Sequence, residues 1–206
     1  MVSRESRSVS PGVLVLHPWW GLNDDVRASA ERLRGEGYEV ATPDLFHGRV
    51  ATTIDEAKSL SGEVSKNWKS AMTEIEEALE KLQAGSVAVL AWSMGVWFSW
   101  QLAQAHPDRI RGLVSYYGYG EVEPGKSLPP ILGHFAEQDE FEALDDVRKT
   151  EQALADGGYV AQFHVYPGTK HWFDEPSRPE YDKAASELAW KRTAAFLDTH
   201  LRRKSV

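Results

Sequence analysis

The stretch Ala91-Trp92-Ser93-Met94-Gly95 decides how the chain is read. Ahead of it runs an apolar, β-prone segment, Ser86-Val87-Ala88-Val89-Leu90, and after it a helix-compatible one from Val96 to Ala105. Ser93 therefore falls where a buried strand turns into a helix. A sharp turn at that place lifts the serine oxygen out of the sheet, and the next backbone N–H, at a helix N-terminus, is free to bind a developing oxyanion. Small residues two before and two after the serine let strand and helix approach closely. Here they are Ala91 and Gly95, where the usual motif has glycine at both.

Taken alone, a small-x-Ser-x-Gly string recurs by chance in ordinary strand-to-helix turns. Two residues nearer the carboxyl end make it specific. Asp139 comes just after one expected strand, Ile131 to Ala136, and His171 just after the last, Ala161 to Tyr166. A serine, an acid and a histidine in this order, each at the end of a strand, are the parts of a nucleophile, its orienting carboxylate and its general base. Asp139 has rivals in Glu137, Glu140 and Glu142, because a run of four carboxylates is equally a solvated loop.

Composition narrows the field. The chain has 206 residues and is 42% hydrophobic, enough for one domain with a sizeable core and no staples. With 31 acidic against 23 basic residues, and no basic run before Arg202-Arg203-Lys204, nucleic-acid binding is disfavoured. There is no cysteine, so disulfides, thiolate metal sites and thiol nucleophiles are excluded. No His and carboxylate cluster at ligand spacing suggests a metal, and no cofactor is expected. The polar start of the chain lacks a signal-like apolar stretch and no segment approaches membrane-spanning length, which makes a cytoplasmic location the simplest expectation.

Along the chain, residues 1–11 are expected to be flexible and 12–206 to form a single domain. Gly12 to Leu16 reads as a strand running into the loop His17-Pro18-Trp19-Trp20-Gly21; a helix then runs from Asn23 or Asp24 to about Gly35, and a second strand from Gly37 to Thr42. Phe46 to Ser65 reads as irregular or weakly helical, a possible partial lid. A long amphipathic helix spans about Lys66 to Gln83, with Trp68, Met72, Ile75, Leu79 and Leu82 at helical spacing. Further strands are expected at Ile110 to Tyr117, Ile131 to Ala136 and up to Tyr166, with helices at about Ala143 to Gly157 and from near Arg178 to Leu201. Apolar strands alternating with helices indicate an α/β fold, a mostly parallel sheet covered on both faces. In such sheets the site lies at the carboxyl ends of the strands, where His17, Asp44, Ser93, Asp139 and His171 all fall.

With these loops in view, the chain resembles the dienelactone hydrolase family of the α/β-hydrolase fold, in a serine-nucleophile form. The resemblance is carried by Gly21-Leu22-Asn23, Gly37-Tyr38, Pro43-Asp44-Leu45, Tyr116-Tyr117-Gly118, Gly133 through Asp139, Tyr166 through Phe173 and Ala189-Trp190-Lys191-Arg192. It covers about Val13 to Leu201 and implies a reduced N-terminal part, without the hairpin that many relatives place before the first strand. It implies Ser93 as nucleophile, His171 as general base, Asp139 as its orienting acid, and the backbone N–H groups of Met94 and Trp19 as oxyanion donors. Trp20, Trp92 and Trp172, next to these positions, are expected to line the substrate pocket. Trp68, Trp97, Trp100 and Trp190 read as core, His17 as structural or supporting, and Asp44, His47, His134 and His164 as structural.

Three departures from the family pattern stand out: Ser93 replaces the namesake's cysteine, Pro18 its loop glutamate, and Glu175 the arginine that holds the substrate's carboxylate. The expectation is a cofactor-free serine esterase or lactonase acting on a small ester or lactone, with no nucleic-acid or membrane partner; the sequence leaves the oligomeric state open, and the resemblance favours a monomer. Two rival readings use the same residues: an inactive hydrolase-fold binding protein, and an acyltransferase or perhydrolase working through the same serine.

Overall fold

A computed structural model describes residues 10–202. Residues 1–9 of the stretch expected to be flexible, and Arg203 and Lys204 of the basic tail, lie outside the described residues. The elements run β1 (Gly12–Leu16), α1 (Asp24–Gly35), β2 (Glu39–Ala41), α2 (Ile54–Lys66), α3 (Trp68–Lys81), β3 (Val87–Trp92), α4 (Met94–Ala105), β4 (Ile110–Tyr116), β5 (Ile131–Ala136), α5 (Leu144–Asp156), β6 (Ala161–Tyr166) and α6 (Lys183–Leu201). The strands form one sheet in the order β2-β1-β3-β4-β5-β6, and every pairing in it is parallel.

The apolar runs explain why the centre is continuous core. Every residue of β1, β3 and β5 is buried, whereas the edge strands β2 and β6 are only partly covered. Unbroken burial, without the alternation of a one-sided sheet, requires helices on both faces. Arg32 of α1 lies over the Trp190 ring of α6 on one face, while α3 and α4 pack together on the other. Among the described residues, no helix is long and apolar enough to cross a membrane.

The order of strands fixes where a site can form. From β1 the chain goes outward to β2 and then crosses back to β3 on the other side, so the carboxyl ends of β1 and β3 flank a crevice at a topological switch point. The loop holding Trp19 and the turn at Ser93 occupy those two ends.

Two sequence-based expectations are corrected. The segment read as irregular or weakly helical contains α2, a helix of 13 residues. Its start is marked in the chain by a capping box: Thr53 accepts from the Glu56 N–H, and the Glu56 carboxylate accepts from the Thr53 N–H. Trp68 and Trp97, read as core, are instead 44% and 42% exposed. They meet edge to face with ring centroids 5.9 Å apart across α3 and α4, each sheltering only one side of the other. Trp100 and Trp190 are buried.

The interior also carries a polar chain through its apolar layers. Tyr116 Oη and His134 Nε2 both meet the Thr193 hydroxyl at 3.0 Å, and His134 Nδ1 meets Tyr166 Oη at 2.8 Å. Burial holds His134 well below its usual pKa, so it is a neutral link between β4, β5, β6 and α6. Thr193→Val should leave two buried polar atoms without their shared partner and cost about 1–3 kcal/mol, read as a lower midpoint in urea denaturation.

Candidate active site

The turn after β3 is strained. Ser93 sits at φ 45°, ψ −115°, a conformation that costs a non-glycine residue on the order of 1–3 kcal/mol. Three contacts hold it. The Ser93 N–H donates to Tyr116 O at 2.9 Å, the Val96 N–H to Ser93 O at 2.9 Å, and Gly95 lies against the end of β1. A Cβ on Gly95 would sit 2.7 Å from Leu16 O and 2.9 Å from His17 O, so only glycine lets α4 begin this close to β1. Ala91, the other small position, is fully buried.

That approach sets the first loop beside the serine. The loop is a tight turn, with the Gly21 N–H donating to Pro18 O at 3.1 Å and Gly21 at φ 93°. It is anchored to the next segment by the Ala51 N–H donating to Trp20 O at 3.0 Å. His17, fully buried, donates from Nδ1 to Pro18 O at 2.7 Å and accepts the Leu45 N–H on Nε2 at 3.1 Å, joining the ends of β1 and β2. Burial lowers its pKa, in keeping with this neutral, structural role. The Trp19 N–H makes no backbone hydrogen bond among the described residues, and Met94, as the first residue of α4, has an N–H with no intrahelical acceptor.

The loops after β5 and β6 bring the remaining groups together. Asp139 accepts the Phe141 and Glu142 N–H groups on Oδ1, at 2.8 and 3.0 Å. His171 Nδ1 lies 2.9 and 2.8 Å from its two oxygens, and His171 Nε2 lies 3.2 Å from Ser93 Oγ. An ionised carboxylate only accepts, so Nδ1 carries the proton and Nε2 is left to accept from the serine hydroxyl. Both the His171 and Asp139 side chains are almost wholly buried, 5% and 1% exposed. The neighbouring acids are used elsewhere. Glu137 accepts the Gly168 N–H, and Glu142 is pushed up to about 7 by burial and then by the charge of Asp139.

Aromatic rings crowd the imidazole. Tyr117 and Phe141 have centroids 4.7 and 4.9 Å from it, and Trp172 stands edge-on at 5.3 Å. Trp19 stacks on Trp172 at 5.8 Å, and Trp20 meets Trp172 at 5.2 Å. Trp20 also lines an open cleft of about 470 Å³ with Leu22, Asn23, Val50, Ser177 and Arg178. Trp172 and His171 line a smaller one of about 80 Å³. Trp92 departs from expectation. It is 2% exposed, stacks on Tyr116 inside the core, and donates its indole N–H to Asp174 at 2.9 Å. Alternation along β3 sends its side chain into the protein, away from the opening that Ser93 faces.

Sequence reasoning passed over Phe141 and Asp174, and it named Tyr117 and Glu175 without seeing that they meet. Phe141 was hidden in a run of carboxylates. The contacts of the others gave no local signal, because the partners lie 58 to 82 positions away in the chain. Among the described residues, no three His, Asp or Glu side chains converge as a metal-ion site.

Residues 1–201 match the sequence pattern of the dienelactone hydrolase family. The chain belongs to that family. It is similar to Protein usf of Aquifex pyrophilus, 29% identical over 93% of this chain and 89% of the relative. It also resembles carboxymethylenebutenolidase of Rhodococcus opacus, 25% identical over 92% of this chain and 81% of that one. Among solved structures, a dienelactone hydrolase-like promiscuous phosphotriesterase from metagenomic libraries superposes with a TM-score of 0.79. That match covers 96% of this chain and 90% of the other at 18% identity, a likeness of fold. As a dienelactone hydrolase family member with the α/β-hydrolase fold, the protein is a hydrolase.

Gly95→Ala should push α4 away from β1 and spoil the spacing between Ser93 and the Trp19 loop. A misplacement of about 1 Å at a reacting group costs about 100-fold in rate. With Ser93 as the reacting group, as proposed below, fluorophosphonate labelling of Gly95→Ala should fall by one to two orders of magnitude while far-UV circular dichroism stays that of a folded α/β protein.

Proposed function

We propose that this chain hydrolyses small carboxylic esters or lactones through Ser93, His171 and Asp139, by way of an acyl-enzyme. One observation carries the reading: the continuous path from Asp139 through His171 to Ser93 Oγ, with links of 2.8 and 3.2 Å, at the ends of three different strands.

In this reading Ser93 Oγ attacks the substrate carbonyl as His171 Nε2 takes its proton, and Asp139 stabilises the imidazolium that results. The N–H groups of Met94 and Trp19 receive the oxyanion. Collapse of the tetrahedral adduct breaks the bond to the alcohol oxygen, which leaves with the proton from His171. Water, deprotonated by the same imidazole, then attacks the acyl-enzyme, and the acid is released with Ser93 restored. The chemistry requires no cofactor. Serine fits this scheme because its hydroxyl needs the histidine in the same step as attack, and His171 is already within reach of it.

The departures from the family pattern favour an uncharged ester. Glu175, standing where the namesake enzymes have their carboxylate-binding arginine, is 2% exposed and turned to Tyr117. It offers a substrate carboxylate no cation. The ring walls of Trp19, Trp172 and Phe141 suit a flat or short apolar acyl group.

The test is labelling by a fluorophosphonate probe, read by intact mass, beside turnover of p-nitrophenyl acetate and longer esters. Wild type should gain one adduct and Ser93→Ala none. His171→Ala should lose ester turnover, and Asp139→Asn should lower kcat on the order of 10³–10⁴-fold by favouring the wrong tautomer. Wild-type protein that takes no adduct, with turnover equal in all variants, would overturn the reading.

A further inference from the structure

Four residues after His171 the chain turns inward and buries Glu175. Its backbone is pinned on both sides, its N–H donating to Trp172 O at 3.0 Å and the Arg178 N–H donating to Glu175 O at 2.9 Å. The side chain has one partner: Oε1 accepts the Tyr117 hydroxyl at 2.7 Å. Oε2 is buried with no partner among the described residues. The cation closest in sequence, Arg178, is engaged elsewhere, its Nε 3.8 Å from Glu180 Oε2 and its guanidinium 3.9 Å over the Trp20 ring. An ionised carboxylate here would be a buried charge with no cation in hydrogen-bonding contact among the described residues, far costlier than an acid whose second oxygen is dry.

Tyr117 carries this contact to the candidate site. It is fully buried, sits at φ 39°, and its N–H donates to His134 O at 2.7 Å. Its ring centroid lies 4.7 Å from that of His171 with 53° between the planes. Of the other rings around the imidazole, Phe141 is 50% exposed and gives less support, and Trp172 meets the imidazole edge-on at 5.3 Å. Tyr117 is held at its backbone by β5 and at its hydroxyl by Glu175, so the Glu175 contact fixes the tilt of the surface on which the imidazole rests.

We propose that Glu175, as a neutral carboxylic acid, is a positioning residue: through the Tyr117 hydroxyl it sets the ring that keeps His171 Nε2 on Ser93 and Nδ1 on Asp139. This rests on the triad reading above. The groups facing Glu175 are Tyr117 at the end of β4, Asp25 of α1, and Asp174 and Arg178 of its own loop. Burial, the largest effect, pushes Glu175 up to about 8 and Asp174 up to about 7. Asp174 is tied separately, to the Trp92 indole and the Ser186 hydroxyl. Tyr117 stays protonated, its pKa raised well above the usual value by burial.

Neutral Glu175 and ionised Glu175 should then behave differently. Above pH 8 the Tyr117 hydroxyl faces a carboxylate in place of a neutral acid, a shorter and stronger charge-assisted contact that resets the ring on which the imidazole rests. The test measures fluorophosphonate labelling and p-nitrophenyl acetate kcat from pH 5 to 10, beside thermal melts, in wild type, Glu175→Gln, Glu175→Ala, Tyr117→Phe and Asp174→Asn. Wild type should show a descending limb above pH 8, steepening toward about tenfold per pH unit. Glu175→Gln, which keeps a neutral acceptor for Tyr117, should stay within about threefold at neutral pH and lose that limb; Asp174→Asn should keep it. Tyr117→Phe and Glu175→Ala should each lower kcat about tenfold with little change in KM, and less than additively when combined. The melts test the neutral acid without the triad. A folded-state pKa raised from 4.5 to about 8 gives stability that is full below pH 4.5 and falls as pH rises to about 8. Glu175→Gln should flatten that fall. A descending limb unchanged in Glu175→Gln, or Tyr117→Phe with wild-type kcat, overturns the positioning role. A melt profile identical in wild type and Glu175→Gln overturns the neutral acid. Wild type that takes no adduct at Ser93 overturns the triad reading itself, and the positioning role with it.

Discussion

The arrangement at the carboxyl end of the sheet depends on how near the first turn of α4 can come to the last carbonyls of β1. The allowance is the absence of one methyl group, at Gly95, where a Cβ would fall 2.7 Å from Leu16 O. Because Ser93 begins that turn and the Trp19 loop begins at those carbonyls, one steric constraint sets the distance between a hydroxyl and an unpaired amide donor. A hydrogen bond from the Ser93 N–H to Tyr116 O of the neighbouring strand, and one from the Val96 N–H of α4 to Ser93 O, then hold Ser93 in a backbone conformation that it would leave if free.

Around this point the protein buries polar groups without burying many ions. His17, His134, Glu175 and Tyr117 are all sealed from water, yet geometry and burial keep each of them neutral, so the desolvation cost is that of hydrogen-bonding groups. Close to Ser93, Asp139 receives two backbone N–H groups as well as the imidazole. Its neighbour Glu142 is pushed up to about 7 by burial first.

Much of this was legible in the chain. The central strands were visible because a parallel sheet covered on both faces writes itself as near-continuous apolar runs, and β1, β5 and β6 have the bounds expected from sequence, although Gln162 and His164 interrupt β6. Ser93, Asp139 and His171 could be picked out because each comes shortly after an expected strand, and the structure brings these three together. What sequence could not supply is the direction of side chains whose partners are remote. Adjacency to Ser93 puts Trp92 at the pocket, whereas the alternation of β3 turns it into the core toward Asp174. Trp68 and Trp97 fit an amphipathic pattern and still lie at its margin, half covered by each other. The helix α2 was missed although its Thr53 and Glu56 cap was readable, because the segment ahead of it is rich in turns.

The all-parallel sheet has one more consequence, for the order of events in folding. No strand here can pair with its neighbour through a short hairpin; each pairing must wait for a helix or a long connection to be traversed. Ser93, Asp139 and His171 stand on three such strands, 46 and 32 positions apart along the chain. No local fragment holds the site in embryo. The proposed triad is a property of the finished sheet alone, and a partly folded chain, however helical, does not bring its three groups together.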